Sequence, residues 1–168
     1  MIYSMSIPVI WRKRNFMFLA FLLLTVITVL FALSVATEKK QSLLQDYFLY
    51  READKLVSQK KMGQAEVILQ GLVQKYPESD KVNWQYGICL AVTGKLQQGS
   101  EHMKRALELS PGLAKNPANL LGYGQVLFSL GDYKNAERYL LKSKEANLRA
   151  EDLVIADKYL EKIQEEIK

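Results

Sequence analysis

A single cysteine, Cys89, and a single histidine, His102, are all this sequence holds of the two side chains most used in metal binding and nucleophilic chemistry. One thiol cannot close an intrachain disulfide, and one thiol with one imidazole cannot build a four-ligand zinc site. No metal centre is expected. The ordinary role for Cys89 is a small apolar residue inside a helix pair. His102 has acidic and basic neighbours and reads as a solvated surface residue. The hydroxyls Ser100 and Ser129 have no second histidine or lysine to activate them, so a nucleophile-base-orienter set lacks its parts. Glu165 and Glu166 belong to the polar face of a helix, not to an acid and a base facing across a cleft. No catalytic residue, no cofactor and no enzyme activity are expected.

Charge of one sign is also scarce. The chain carries 23 basic and 18 acidic residues. Three of those bases, Arg12, Lys13 and Arg14, lie in residues 1–36, which contain no acid. The remaining 20 bases against 18 acids form no basic stripe interleaved with aromatics, so nucleic acid is excluded as a partner. With 168 residues there is length for one modest domain and an accessory segment, and a large enzyme is excluded.

What the chain does have is one long hydrophobic run. Residues 16–36, FMFLAFLLLTVITVLFALSVA, contain no charge, and a helix of that length at about 1.5 Å per residue spans roughly the 30 Å hydrocarbon core of a bilayer. Arg12–Arg14 precede it, while Glu38, Lys39 and Lys40 follow. The positive-inside rule therefore expects residues 1–15 to be a cytoplasmic basic flank and everything after residue 40 to lie outside the cytoplasm. Tyr3 and Trp11 stand where interfacial aromatics would. A cleaved secretory signal is the alternative, since Ser34, Val35 and Ala36 make a small-x-small site. The usual signal core is only about 7 to 15 apolar residues, so length favours a retained anchor. Residues 37–45 are charged and free of proline and glycine, and read as a stalk continuous with the anchor helix.

The rest of the chain repeats. Gly131, Asp132, Tyr133, Ala136, Leu140 and Ser143 have counterparts 37 residues upstream in Gly94, Lys95, Leu96, Gly99, Met103 and Ala106. A further 34 residues upstream stand Lys60, Lys61, Met62, Ala65, Leu69 and Leu72. Apolar residues recur at helical spacing, as in Val82, Tyr86, Cys89 and Leu90, and then in Leu96, Met103, Ala106 and Leu107. Pro77 and Pro111 stop the helices before them. Each unit is a pair of amphipathic helices. Small residues recur where the two helices cross: Ala53, Gly87 and Gly124 on the first, Ala65, Gly99 and Ala136 on the second. Leu56, Leu90 and Leu127 hold the large apolar position. Gly122 and Gly124 form a short GYG inside a helical pattern, where packing, not a phosphate loop, is the expected reason for both.

This register resembles the tetratricopeptide repeat family, a helix-turn-helix array with a period of about 34 residues. The expected fold is all-α: an N-terminal single transmembrane helix, then a three-repeat α-solenoid with units at 46–79, 80–113 and 117–150, Ala114–Asn116 being inserted. Residues 151–168, with Leu153, Ala156, Leu160, Ile163 and Ile167, read as a capping helix, and Asp152 falls in its first turn.

The resemblance implies that first helices of successive units line a concave groove that receives a peptide or helix. By register that groove holds Tyr47, Tyr50 and Asp54, then Lys81, Trp84, Gln85 and Ile88, then Leu121, Gln125 and Phe128. Trp84 is the sharpest candidate, either as an exposed anchor or as core. Some members clamp a partner's terminal carboxylate with lysines and asparagines. Here those places hold Tyr50, Asp54, Trp84 and Ile88, so an apolar or helical ligand suits better. The expected function is a membrane-anchored protein-interaction adaptor or assembly factor. In layout it resembles anchored repeat proteins that assist cytochrome c maturation, envelope protein folding or secretion assembly. The alternatives are a self-associating oligomer and a non-catalytic subunit of a membrane enzyme complex.

Overall fold

A computed structural model describes the backbone of residues 9–168 and the side chains from Asn15 onward. Tyr3, and the side chains of Trp11, Arg12, Lys13 and Arg14, lie outside the described residues. The chain divides into two compact units, Met1–Asp46 and Tyr47–Lys168.

In the first unit the backbone is the N-terminal part of α1, a helix spanning Val9–Ser58. Side chains from Phe16 to Val35 are exposed all round, and the helix is long and apolar enough to cross a membrane. Its few hydroxyls are satisfied internally. Thr25 Oγ1 donates to the Leu22 carbonyl at 2.8 Å, Thr28 to Thr25 at 2.8 Å, Ser34 to Phe31 at 2.9 Å and Thr37 to Ser34 at 2.7 Å. A helix surrounded by hydrocarbon needs that, because no water is present to take an unpaired donor.

The second unit contains the end of α1 and the helices α2 (Met62–Lys75), α3 (Asp80–Val92), α4 (Leu96–Leu109), α5 (Pro111–Lys115), α6 (Pro117–Ser129), α7 (Tyr133–Glu145) and α8 (Ala150–Glu166). The pairs α3–α4 and α6–α7 form antiparallel hairpins, α2 packs on α3, α4 on α6, and α8 on both α6 and α7.

One turn design is used three times. Lys61 N–H reaches back to the Leu56 carbonyl at 2.9 Å, Lys95 to Leu90 at 2.8 Å and Asp132 to Leu127 at 3.0 Å. These six-residue loops cap the first helix of each pair and need a left-handed residue just before the donor. Gly94 (φ +90) and Gly131 (φ +76) supply it without strain, whereas the first turn uses Lys60 at φ +60.

Small residues at the crossings let backbones meet. Ala53, Ala65 and Ala136 are fully buried. A Cβ on Gly87 would lie 2.8 Å from the Gly99 carbonyl oxygen, and one on Gly99 would lie 2.7 Å from the Gly87 oxygen. At Gly124 the close neighbour is a side chain: an added Cβ would lie 3.0 Å from Leu140 Cγ. Gly122 does not follow: a Cβ there would meet nothing within 4 Å, so packing does not account for it.

The core falls into two clusters. The first joins Ala53, Ala65, Leu69 and Leu72 to Val82, Tyr86, Cys89 and Leu90. The second joins Met103 and Leu107 to Leu121, Tyr123, Leu127, Ala136 and Leu140, and to Ala156 and Ile163 of α8. Cys89 is buried, and its thiol is pushed up to about 11 by desolvation and then by the nearby Glu66 charge, so it stays protonated.

Three further sequence expectations change. Pro111 does follow the end of α4, but it also begins α5, where Ser110 caps the turn by accepting from Leu113 N–H. Proline at the first helical position starts a helix as readily as it ends one, because its missing N–H has no partner there anyway. Ile167 lies beyond the end of α8 and is exposed. His102 is not a solvated surface residue. It is half-buried, its ring meets Tyr86 edge-on at 4.8 Å, and Nδ1 lies 2.9 Å from Asn83 Oδ1. Since Asn83 Nδ2 donates to the Pro77 and Ser79 carbonyls, its Oδ1 is the acceptor and Nδ1 of His102 carries the proton. Burial lowers the imidazole pKa, and the Glu101 charge partly opposes this.

Candidate functional site

Between α3 and α6 lies an open hollow of about 360 Å³. Its α3 wall is Trp84, Ile88, Ala91 and Val92, and its α6 wall is Ala118, Asn119, Gly122, Gln125, Val126 and Ser129, with Leu96 and Met103 of α4 also lining it. The helical period explains both walls. Trp84, Ile88 and Val92 are four residues apart, as are Ala118, Gly122 and Val126, so each set forms a line along one face. No Asp, Glu, Lys, Arg or His lines the hollow. Apart from the Trp84 indole N–H on α3, the polar side chains of the lining are on α6. Ser129 Oγ is engaged with the Gln125 carbonyl at 3.0 Å, and Asn119 Nδ2 reaches the Leu113 carbonyl at 3.4 Å. The Gln125 side-chain amide has no protein partner among the described residues.

Of the residues expected in the groove, Trp84, Ile88 and Gln125 come together here. Trp84 and Ile88 also pack against the second core, and Trp84 is half-buried, touching that core while lining the hollow. Asp54 and Gln85 form a separate link. Gln85 Nε2 donates to Asp54 Oδ1 at 2.7 Å, tying α3 to α1, while Gln85 Oε1 is buried with no partner among the described residues. Tyr50 is half-buried against the first core, and its phenol pKa is raised by desolvation and then by Asp54 and Asp80. Tyr47 and Lys81 are exposed.

Leu121 and Phe128 are turned away from the hollow. Leu121 is only 5% exposed in the second core. Phe128 sits against the rings of Tyr133 at 5.4 Å and Tyr159 of α8 at 5.1 Å. Carrying the register from α3 to α6 fails at these positions because α8 packs on α6 and helps to bury that side. Val92, Ala118, Gly122 and Val126 were not in the expected set, although the four-residue spacing from Trp84 signals at least Val92.

The opposite face offers a larger hollow of about 530 Å³, lined by Glu78, Asn83, Tyr86, Glu101, His102 and Arg105. Its polar groups are already engaged: Arg105 pairs with Glu78 at 2.6 Å, Asn83 and His102 are bonded together, and Glu101 accepts from Gln97 Nε2 at 3.0 Å. Size therefore does not make it the better site. Among the described residues, no three of His, Cys, Asp and Glu gather to hold a metal ion.

No protein-family model matches the chain, and no curated protein sequence matches it. Solved structures do. The Yersinia enterocolitica type III secretion chaperone SycD, in complex with a peptide of the translocator YopD, matches 71% of this chain and 92% of its own at a TM-score of 0.59 and 18% identity. The first tetratricopeptide domain of Spaghetti (RPAP3), bound to an HSP90 peptide, gives 0.60 and 15% over 73% of this chain and 92% of that one. The Sgt2 tetratricopeptide domain of Aspergillus fumigatus gives 0.57 and 18%, covering 73% and 79%. The helical array has the tetratricopeptide-repeat fold of these structures.

Proposed function

We propose that this chain is a single-pass membrane protein whose repeat domain lies outside the cytoplasm and acts as an adaptor or assembly factor, taking a segment of a partner protein into the hollow between α3 and α6. The observation that carries the reading is the hollow itself: uncharged, about 360 Å³, and walled on one side by a half-buried tryptophan. Tryptophan in a partly desolvated recess is the side chain most often found to dominate binding energy at interfaces. Support for the mode comes from SycD and Spaghetti, which share the fold and hold peptides in their structures. The absence of basic residues from the lining argues against a carboxylate-terminal ligand. Support for the anchor comes from the uncharged run 16–36 and the basic residues on its N-terminal side.

Two experiments test the two halves. Trp84→Ala is expected to lose the protein that copurifies with the full chain from native membranes while far-UV circular dichroism stays unchanged; full recovery would place binding on another face. Alkaline phosphatase fused after Lys168 is expected to be active in a bacterial host, and a green fluorescent protein at the same place dark. The reverse pattern would sink the topology.

A further inference from the structure

We infer that Gly122 is a socket: its bare helical backbone seats one large apolar side chain from an uncharged stretch of the partner, while the amide of Gln125 bonds that stretch's main chain. This rests on the groove reading above and specifies what the groove selects.

Glycine in a helix interior destabilises the helix relative to alanine, so its presence calls for a reason. At Gly87, Gly99 and Gly124 the reason is contact, because an added Cβ would fall 2.6 to 3.0 Å from its nearest neighbour. At Gly122 an added Cβ would meet nothing within 4 Å, and no left-handed backbone requires glycine. What the missing side chain leaves is space on the α6 wall of the hollow, with Ala118 and Val126 one turn to either side and Trp84 and Ile88 on the other wall. The hollow's 360 Å³ corresponds to about a dozen waters at roughly 30 Å³ each, room for a leucine or phenylalanine side chain together with adjoining main chain. With no ionisable residue in the lining, a charged partner side chain would lose its water and find no counter-ion. Gln125 carries a donor and an acceptor one turn from Gly122, both unengaged among the described residues. One amide of this kind can satisfy both the N–H and the C=O of a chain lying along α6.

Gly63 and Gly71 of α2 also have open space around their missing Cβ atoms, but neither lines the hollow. They separate an effect on helix stability from an effect on binding.

The test uses the full chain in lipid nanodiscs with Trp11→Phe, which leaves Trp84 as the sole indole of the two in the sequence. The probes are capped heptapeptides, Ac-Ser-Asn-Ser-X-Ser-Asn-Ser-amide, with X as Ala, Leu or Phe, titrated while the Trp84 indole resonance is followed. The Leu and Phe peptides are expected to shift that resonance and to bind about tenfold more tightly than the Ala peptide. Gly122→Ala is expected to weaken the Leu peptide about tenfold while raising the thermal midpoint as Gly71→Ala does, and Gly71→Ala is expected to leave binding unchanged. If Gly122→Ala binds the Leu peptide undiminished while Trp84 still responds, the socket is overturned and the groove stands. Equal binding of the Ala and Leu peptides also overturns the socket. If no peptide moves the Trp84 resonance, the socket and the groove reading fall together.

Discussion

Replacing Gly99 with alanine tests the helix crossing on which the repeat architecture rests. The added methyl would lie 2.7 Å from the Gly87 carbonyl oxygen and 2.8 Å from the Ala91 amide nitrogen, where comfortable contacts begin near 3.5 Å. Both obstacles are backbone, so no side chain can rotate aside, and α3 and α4 must separate by several tenths of an ångström. Overpacking of this kind costs about 1 to 3 kcal/mol, and a rigid backbone obstacle places it near the upper end. Alanine returns about 1 kcal/mol through its better helix propensity, leaving a net loss of roughly 2 kcal/mol. At about 4 °C per kcal/mol, the thermal midpoint of the repeat domain falls by roughly 8 °C. Gly71→Ala has the same propensity gain and no collision, so it rises by about 4 °C. The assay is unfolding of the full chain in nanodiscs, read by tyrosine fluorescence. Equal stability of Gly99→Ala and the unaltered chain would refute the close crossing.

Other consequences concern the turns and the half-buried imidazole. Lys60→Gly relieves a left-handed lysine, worth about 1 to 2 kcal/mol, and gives back about 0.5 to 1 in chain entropy. A net gain of roughly 1 kcal/mol is expected in guanidinium unfolding; a loss would mean that the lysine makes contacts worth more than its strain. His102 has a folded-state pKa below its ordinary value because burial disfavours the cation. As pH falls through about 6.5 the unfolded chain takes up the proton first, so stability present at pH 7 declines toward pH 5. The decline is expected to be smaller in His102→Gln; an unchanged pH profile would mean that other groups cause it.

Features set by local spacing were legible in the sequence. The three turns align at Lys60, Gly94 and Gly131, and the left-handed backbone recurs at all three even where lysine replaces glycine. The crossing positions Gly87, Gly99 and Gly124 were legible as well, because close helix approach demands small residues at fixed places. Features set by a distant partner were not. His102 is held by Asn83, nineteen residues earlier on the facing helix, and nothing in its immediate surroundings signals that bond. Phe128 looked like a groove residue until Tyr159 of α8 took its ring. The register marked Gly124 as a crossing position, aligned with Gly87, but gave Gly122, aligned with Gln85, no reason of its own. Only the space around each separates a glycine that packs from one that leaves room.

If the face between α3 and α6 meets the partner, site-specific photocrosslinking in intact cells captures it there. A photoreactive amino acid would be placed in turn at Ile88 and Gln125 in the hollow, and at Glu101 and Arg105 on the opposite face. One common crosslinked species is expected from Ile88 and Gln125, absent with Trp84→Ala, and none from Glu101 or Arg105. Crosslinks confined to Glu101 and Arg105 would contradict binding at that face.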